Sequence, residues 1–193
     1  MTSEIEYVLN HREFVILGLV AEFSSHAYSI NQRIDERGMR EWTSIGKSSI
    51  YSDLNNLEEN KLVESHREEV DNRIRKVYTI TDFGSKILKT KTYNVLREFI
   101  GKNDEDFYVA FSMLPMLTQE EQIETITNSL NMIRKNKKEL EQMLNENSKM
   151  PLNVRGLFVH PIKILDMDIE FLEWVLEEIK EENGQVDPKT YGE

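Results

Sequence analysis

The apolar positions along this 193-residue chain change period several times, and each change predicts an element. From Leu9 to Ser24, Phe14, Leu17, Val20 and Ala21 fall at helical spacing, with little to break the run. The stretch "SSHAYSINQRIDERG" predicts a second helix. Ser24 or Ser25 can cap its start, Tyr28, Ile30 and Ile34 supply apolar contacts, and Gly38 supplies the stop. A third helix is expected from about Lys47 to Asn60, striped by Ile50, Leu54 and Leu57. Then strand character sets in. "KLVESHREEV" and "RIRKVYTIT" carry Val70, Val77, Tyr78, Thr79, Ile80 and Thr81, all β-branched or aromatic. Between them Asp71-Asn72 suits a hairpin turn, since both residues tolerate positive φ. Three helices followed by a hairpin is the element order of a winged helix-turn-helix.

The second half is helical throughout. Thr81 or Asp82 can cap a helix running to Gly101, and "GKND" (Gly101 to Asp104) is the expected junction between a domain of residues 1–101 and one of residues 102–193. "DEDFYVAFSMLPML" predicts a short apolar helix ending near Pro115. Thr118 with Glu121 forms a capping box that opens a long helix to about Asn147. Its apolar positions are Ile123, Ile126, Leu130, Ile133, Leu140 and Leu144. Residues 148–160 read as a less regular link. The last helix carries Ile162, Leu165, Ile169, Leu172, Leu176 and Ile179, a heptad-type seam. The two seams predict a helical hairpin within the chain and are compatible with pairing to a second copy. "NGQVDPKTYGE" reads as a loose tail. The expected fold class is mainly α with a small β-hairpin wing: an N-terminal winged helix-turn-helix and a C-terminal α-helical dimerisation domain.

Composition narrows the function. There is no cysteine, which removes disulfides, thiolate metal sites and cysteine nucleophiles. The N-terminus is polar and acidic, unlike a secretory signal, and the longest apolar run, Phe14 to Ala21, is far too short to span a bilayer. The expectation is a cytoplasmic protein, nucleoid-associated when bound, with no membrane partner. His11, His26, His66 and His160 are scattered without metal-ligand spacing, and no phosphate loop, dinucleotide fingerprint or nucleophile elbow occurs. Neither an enzyme, a metal nor a cofactor is expected. The net charge of -11 argues against nucleic acid, but it is uneven. Residues 1–100 hold 14 Lys and Arg against 16 Asp and Glu, a balance of -2; the remainder carries -9.

The third helix then stands out. Opposite Ile50, Leu54 and Leu57 it shows hydroxyls and amides rather than a Glu/Lys mix. Lys47, Ser48, Ser49, Tyr51, Ser52 and Asn55 are the candidates for contact with base edges and phosphates in a major groove. In the hairpin, Arg73, Arg75 and Lys76 are candidates for the DNA backbone, although cross-strand pairing with Glu68 and Glu69 could occupy one of them. Phe107, Tyr108, Phe111, Met113 and Met116 read as core, and also mark where a small-molecule cavity would lie. Trp42 and Trp174 read as packing residues.

These residues also carry a resemblance. Ile16-Leu17-Gly18-Leu19, His26, Tyr28, Ile30, Ser49-Ile50-Tyr51, Leu54, Leu57-Glu58, Leu62, Lys76, Tyr78, Thr81 and Gly84 resemble the PadR family of bacterial transcription regulators over residues 13–90. The remainder resembles the long helical C-terminal domain of the larger subgroup, in length and pattern only. Ala27, Ser52, Lys61 and Val77 depart from the family's Gly, Pro, Gly and Tyr, and Ser52 adds a polar group to the outward face of the third helix. The resemblance implies a homodimer joined through C-terminal helices that reads a two-fold site in double-stranded DNA. It further implies a repressor released by a small aromatic or phenolic effector. The competing expectation is an interaction or adaptor protein that kept the winged helix and lost DNA binding.

Overall fold

The computed structural model describes residues 7–46, 49–70, 73–101, 104–146 and 149–181. Helix α1 (His11–Glu22) begins with a capping box. The Asn10 side chain accepts from the Glu13 N–H and Glu13 accepts from the Asn10 N–H. Every residue from Glu13 to Val20 is buried, so α1 is wrapped on all sides rather than on one face. Its neighbours are α2 (Ala27–Glu36), α3 (Ile50–Glu59), α4 (Asp82–Glu98) and α5 (Glu105–Ser112). A 3-10 turn, Met39–Glu41, lies between α2 and α3.

Two starts differ from the sequence expectation. Neither Ser24 nor Ser25 caps α2. His26 does, its Nδ1 accepting from the Ser29 N–H at 3.0 Å, because Ser25 is drawn into a short strand, β1 (Ser25–His26). Helix α3 begins at Ile50; Lys47 and Ser48 lie outside the described residues. The stripe of Ile50, Leu54 and Leu57 is buried as expected, each residue 1% exposed or less.

The end of α3 is a Schellman motif. The Leu62 N–H reaches the Leu57 carbonyl and the Lys61 N–H reaches the Glu58 carbonyl, both at 2.9 Å. Lys61 occupies the left-handed position with φ 63°, and Leu62 is fully buried behind it. A lysine there pays about 1 kcal/mol or more in Cβ crowding that glycine avoids. The chain then forms β2 (Val63–Val70) and β3 (Arg73–Ile80), antiparallel with Val63 opposite Ile80 and Val70 opposite Arg73. The expected turn at Asp71-Asn72 lies outside the described residues. β1 adds to the far edge, giving a three-stranded sheet in the order β1-β3-β2 where the sequence suggested a hairpin alone. Two residues are too short a run to show a strand period.

Thr81 caps α4, its hydroxyl accepting from the Gly84 N–H at 2.9 Å. Gly84 sits against the end of α3: a Cβ there would lie 2.0 Å from the Leu62 carbonyl oxygen. Helix α4 stops at Glu98, short of Gly101. Of the expected junction, Lys102 and Asn103 lie outside the described residues. A 3-10 turn, Leu114–Met116, follows α5. The Thr118–Glu121 capping box is present and opens α6 (Gln119–Glu146). Helix α7 (Leu152–Lys180) starts ten residues earlier than the seam suggested, so most of the expected irregular link at 148–160 is helix. Pro161 lies inside it. Proline there removes one backbone donor, a defect that a long helix packed along a partner can absorb. α6 and α7 run antiparallel, Gln119 Nε2 donating to the Ile179 carbonyl at 3.0 Å. Lys137–Asp166 and Arg134–Glu173 ion pairs line the hairpin.

Replacing Lys61 with glycine should raise unfolding free energy by about 0.5–1 kcal/mol. Gly84→Ala should lower it by about 2–3 kcal/mol, because the clash is with backbone that no rotamer can move. Urea unfolding of the two variants checks both signs; equal stability of the alanine variant would contradict the close approach.

Candidate nucleic-acid interface

Polar residues of α3 divide between two directions. Tyr51 (62% exposed), Ser52 and Asn55 point outward, and Ser49 is half-buried at the start. The Ser49 hydroxyl donates to the Gly46 carbonyl (3.0 Å) and the Ser52 hydroxyl to the Ser49 carbonyl (2.7 Å). With their hydrogens engaged by the chain itself, both offer lone pairs outward. Ser49 makes no capping bond to the helix.

Asp53 turns inward and the exposed Asn56 reaches back to α1, which the sequence reading missed. Asp53 is buried 3.2 Å from Arg12; burial pushes its carboxyl up and Arg12 pulls it down. Asn56 Nδ2 donates to Glu13 Oε1 (2.5 Å) and to the Tyr7 hydroxyl (3.1 Å). Glu13, 2% exposed, also accepts from the Tyr7 hydroxyl (2.7 Å) and the Asn10 N–H (3.0 Å). Burial, reinforced by the Glu13 carboxylate, pushes the Tyr7 phenol up to about 12. A signal was available for Asp53: position 53 falls on the stripe of Ile50, Leu54 and Leu57, where a carboxylate needs a partner.

The wing lies beside α3. Arg75 extends over the Tyr28 ring, 6.0 Å from its centroid, with Nη1 2.7 Å from His26 Nε2; the ladder sets Glu68 opposite it. Lys76 reaches the other way. Its Nζ donates to Glu58 Oε2 on α3 at 2.5 Å, and the Ser65 hydroxyl donates to Glu58 Oε1. The Lys76 hydrogen bond holds Glu58 below the usual carboxylate range. The pairing expected with Glu68 or Glu69 is therefore made, for Lys76, with Glu58 instead. Arg73 is the first residue of β3, and its side chain lies outside the described part.

Between α3 and β3 runs a groove of about 740 Å³, bounded by Tyr28, Tyr51, Asn55, Ile74, Arg75 and Lys76. Tyr28, expected to supply apolar contacts with Ile30 and Ile34, is 63% exposed, and Ile74 is 76% exposed. Tyr28 sits two residues before Ile30, off the stripe that Ile30 and Ile34 define, so its exposure was readable. The groove combines hydroxyls, an amide, two cations and two aromatic faces. That set can contact phosphates, sugars and base edges, and it contains no paired general acid and base. Among the described residues no group of three or more His, Asp or Glu could hold a metal, and no helix is long and apolar enough to cross a membrane.

Elsewhere, Phe107 and Met113 are buried, Phe107 stacking on Phe99 with centroids 3.8 Å apart. Tyr108 is 47% exposed beside Trp42. Trp174, expected to pack, is 53% exposed on the outer side of α7.

Residues 16–90 match the family model described as the transcriptional regulator PadR-like family. Three solved structures are similar at low identity. PadR of Bacillus subtilis in complex with operator DNA is 18% identical, over 86% of this chain and 98% of that one, with a TM-score of 0.41. A PadR-like transcriptional regulator from Bacillus cereus is 18% identical over 88% and 98%, with a TM-score of 0.38. B. subtilis PadR in complex with p-coumaric acid is 18% identical over 89% and 99%, with a TM-score of 0.39. No curated protein matches the chain. Over residues 16–90 the chain is similar to the PadR-like family, in the stretch where its motifs resemble that family.

Glu13→Ala would remove the buried acceptor shared by three donors, from Tyr7, Asn10 and Asn56. It should lower unfolding free energy by about 3 kcal/mol, and Asn56→Ala by about 1 kcal/mol, in chemical denaturation. Losses below 0.5 kcal/mol for both, on the order of ordinary surface changes, would contradict an anchoring role.

Proposed function

We propose that this PadR-like chain is a homodimeric transcriptional repressor that reads a two-fold site in double-stranded DNA and is released by a small aromatic effector. It acts in the cytoplasm, associated with the nucleoid when bound. One observation carries the DNA reading: α3 turns an uncharged polar face outward beside β3 cations, and the groove between them is open. The N-terminal turns of α3 enter the major groove, where Ser49, Tyr51, Ser52 and Asn55 meet base edges. Arg75 and Lys76, with Arg73 at the wing's outer end, meet phosphates. Lys47 and Ser48 belong to the same approach.

The homodimer is supported by α7. Leu157, Met167 and Trp174 are 74%, 65% and 53% exposed, and with the half-buried Ile164 and Phe171 they follow one another at heptad-like intervals along it. That stripe extends for roughly 26 Å at the helical rise, the form of a seam that a second copy of the same face can cover. Two such chains place two α3 helices on one side of a duplex, where half-sites about 34–36 Å apart match one helical turn. The division at Gly101 separates the reading half from the pairing half. For the effector, the supporting feature is a groove of about 680 Å³ between α4 and α5, bounded by Lys91, Asn94, Val95 and Phe99. Phe107 and Met113, read from the sequence as core and as marking a small-molecule cavity, are buried.

A gel-shift titration with duplex from the chain's own upstream promoter tests the reading. The wild-type dimer should bind, with affinity falling steeply as salt rises. Arg75→Ala should weaken binding and lower the salt slope by about 1. Glu58→Gln frees Lys76 and should tighten binding at low salt. No shift at low salt from folded dimer sinks the proposal.

A further inference from the structure

We propose that Glu105, the first residue of α5, is a positioning residue for the DNA-reading helix: it clasps the loop that leads into α3 and ties its setting to the C-terminal half. The inference rests on the reading of α3 given above. The loop leaves the 3-10 turn after Glu41 and enters α3 at Ile50. Its inner side is fixed by burial of Ile45 and by Arg40 Nη1, which donates to the Ile45 carbonyl at 2.6 Å. Arg40 is itself held by Asp35 and Asn31. Its outer side is fixed by Ser44. Both the Ser44 N–H (3.0 Å) and the Ser44 hydroxyl (2.8 Å) donate to one oxygen, Oε2 of Glu105, 61 residues away in sequence. Two donors from one residue onto a carboxylate fix orientation as well as distance.

α5 is in turn secured to the reading half. His11, at the start of α1, lies 2.7 Å from Asp106 and 3.1 Å from Glu105. Lys91 of α4 lies 2.6 Å from Asp106. Burial pushes the Asp106 carboxyl up, but the His11 and Lys91 hydrogen bonds outweigh it and hold it low. Asp104 caps α5 through the Asp106 N–H. Against this network, the start of α3 is docked by Ile50 but has no side-chain cap. Ser49 gives it no cap, and the Ser49 hydroxyl bonds back to Gly46 within the same loop. A displacement of α5 therefore passes through Ser44 to the turn of α3 that meets DNA.

The test uses the full-length protein and a fluorescent duplex of its own upstream promoter, at fixed salt. Glu105→Gln and Ser44→Ala should each weaken binding about threefold to tenfold, with the salt slope unchanged because no phosphate contact is lost. The double variant should bind no more weakly than the weaker single, since both remove one interaction. Thermal melting of each variant separates a lost setting from a lost fold. Should Glu105→Gln fail to fold, Ser44→Ala, at an exposed loop position, reads the same clasp. Wild-type binding with variants within about twofold of it, or tighter, overturns the clasp alone, as do losses that multiply in the double variant. A folded wild type that does not bind overturns the DNA reading and the clasp with it.

Discussion

The contact between α1 and α3 is the constraint from which the rest follows. α1 is buried on all sides, so whatever packs on it is held by a fixed support. Ile50, Leu54 and Leu57 dock α3 there through apolar burial, worth about 1.5–3 kcal/mol per fully buried side chain but indifferent to rotation about the helix axis. The polar anchors supply the missing direction. Asn56 on Glu13 and Asp53 near Arg12 set which face of α3 turns inward, and so which face remains outward. A surface meant to read another molecule needs that second kind of interaction, because hydrophobic burial alone does not specify orientation.

The same geometry makes the proposed DNA contact compatible with a chain of net charge -11. Arg75 and Lys76 are presented locally, beside the outward face of α3, and each is already oriented. Arg75 is laid over Tyr28, and Lys76 is drawn to Glu58. Such contacts reduce the side-chain entropy lost when a phosphate arrives, while Glu58 tempers the charge on offer. The acidic excess lies past residue 100, in the helices that carry the exposed stripe of α7. The C-terminal half is not remote from the reading surface, however. α5 packs on α1 and meets the loop before α3, so the two halves share one core.

Much of this was legible in the sequence. The helices α1 to α4, the hairpin and the α6–α7 seams follow from apolar period and caps, and Thr81, Thr118 and Glu121 cap as their residue types require. What escaped had no local signature. β1 is two residues long and exists only because β3 offers it an edge. The start of α7 was missed because residues 148–160 read as a less regular link, whereas the helix begins at Leu152 and runs through Pro161. On the outward face of α3, Ser52, Asn55 and Tyr51 stand where helical geometry placed them. Tyr28 was misassigned because aromatic character was weighed above its position on the wheel. The Ser44–Glu105 contact spans two elements far apart in sequence, and no pattern along one chain reveals it.

The most direct measurement is hydroxyl-radical footprinting of the full-length protein with and without its upstream promoter duplex, read at individual tyrosines. Three exposed ones lie at different places: Tyr28 and Tyr51 beside the α3–wing groove, and Tyr108 on α5. The account predicts that DNA protects Tyr28 and Tyr51 from oxidation and leaves Tyr108 unchanged. Protection of Tyr108 with Tyr51 still fully reactive would place the DNA elsewhere and contradict it.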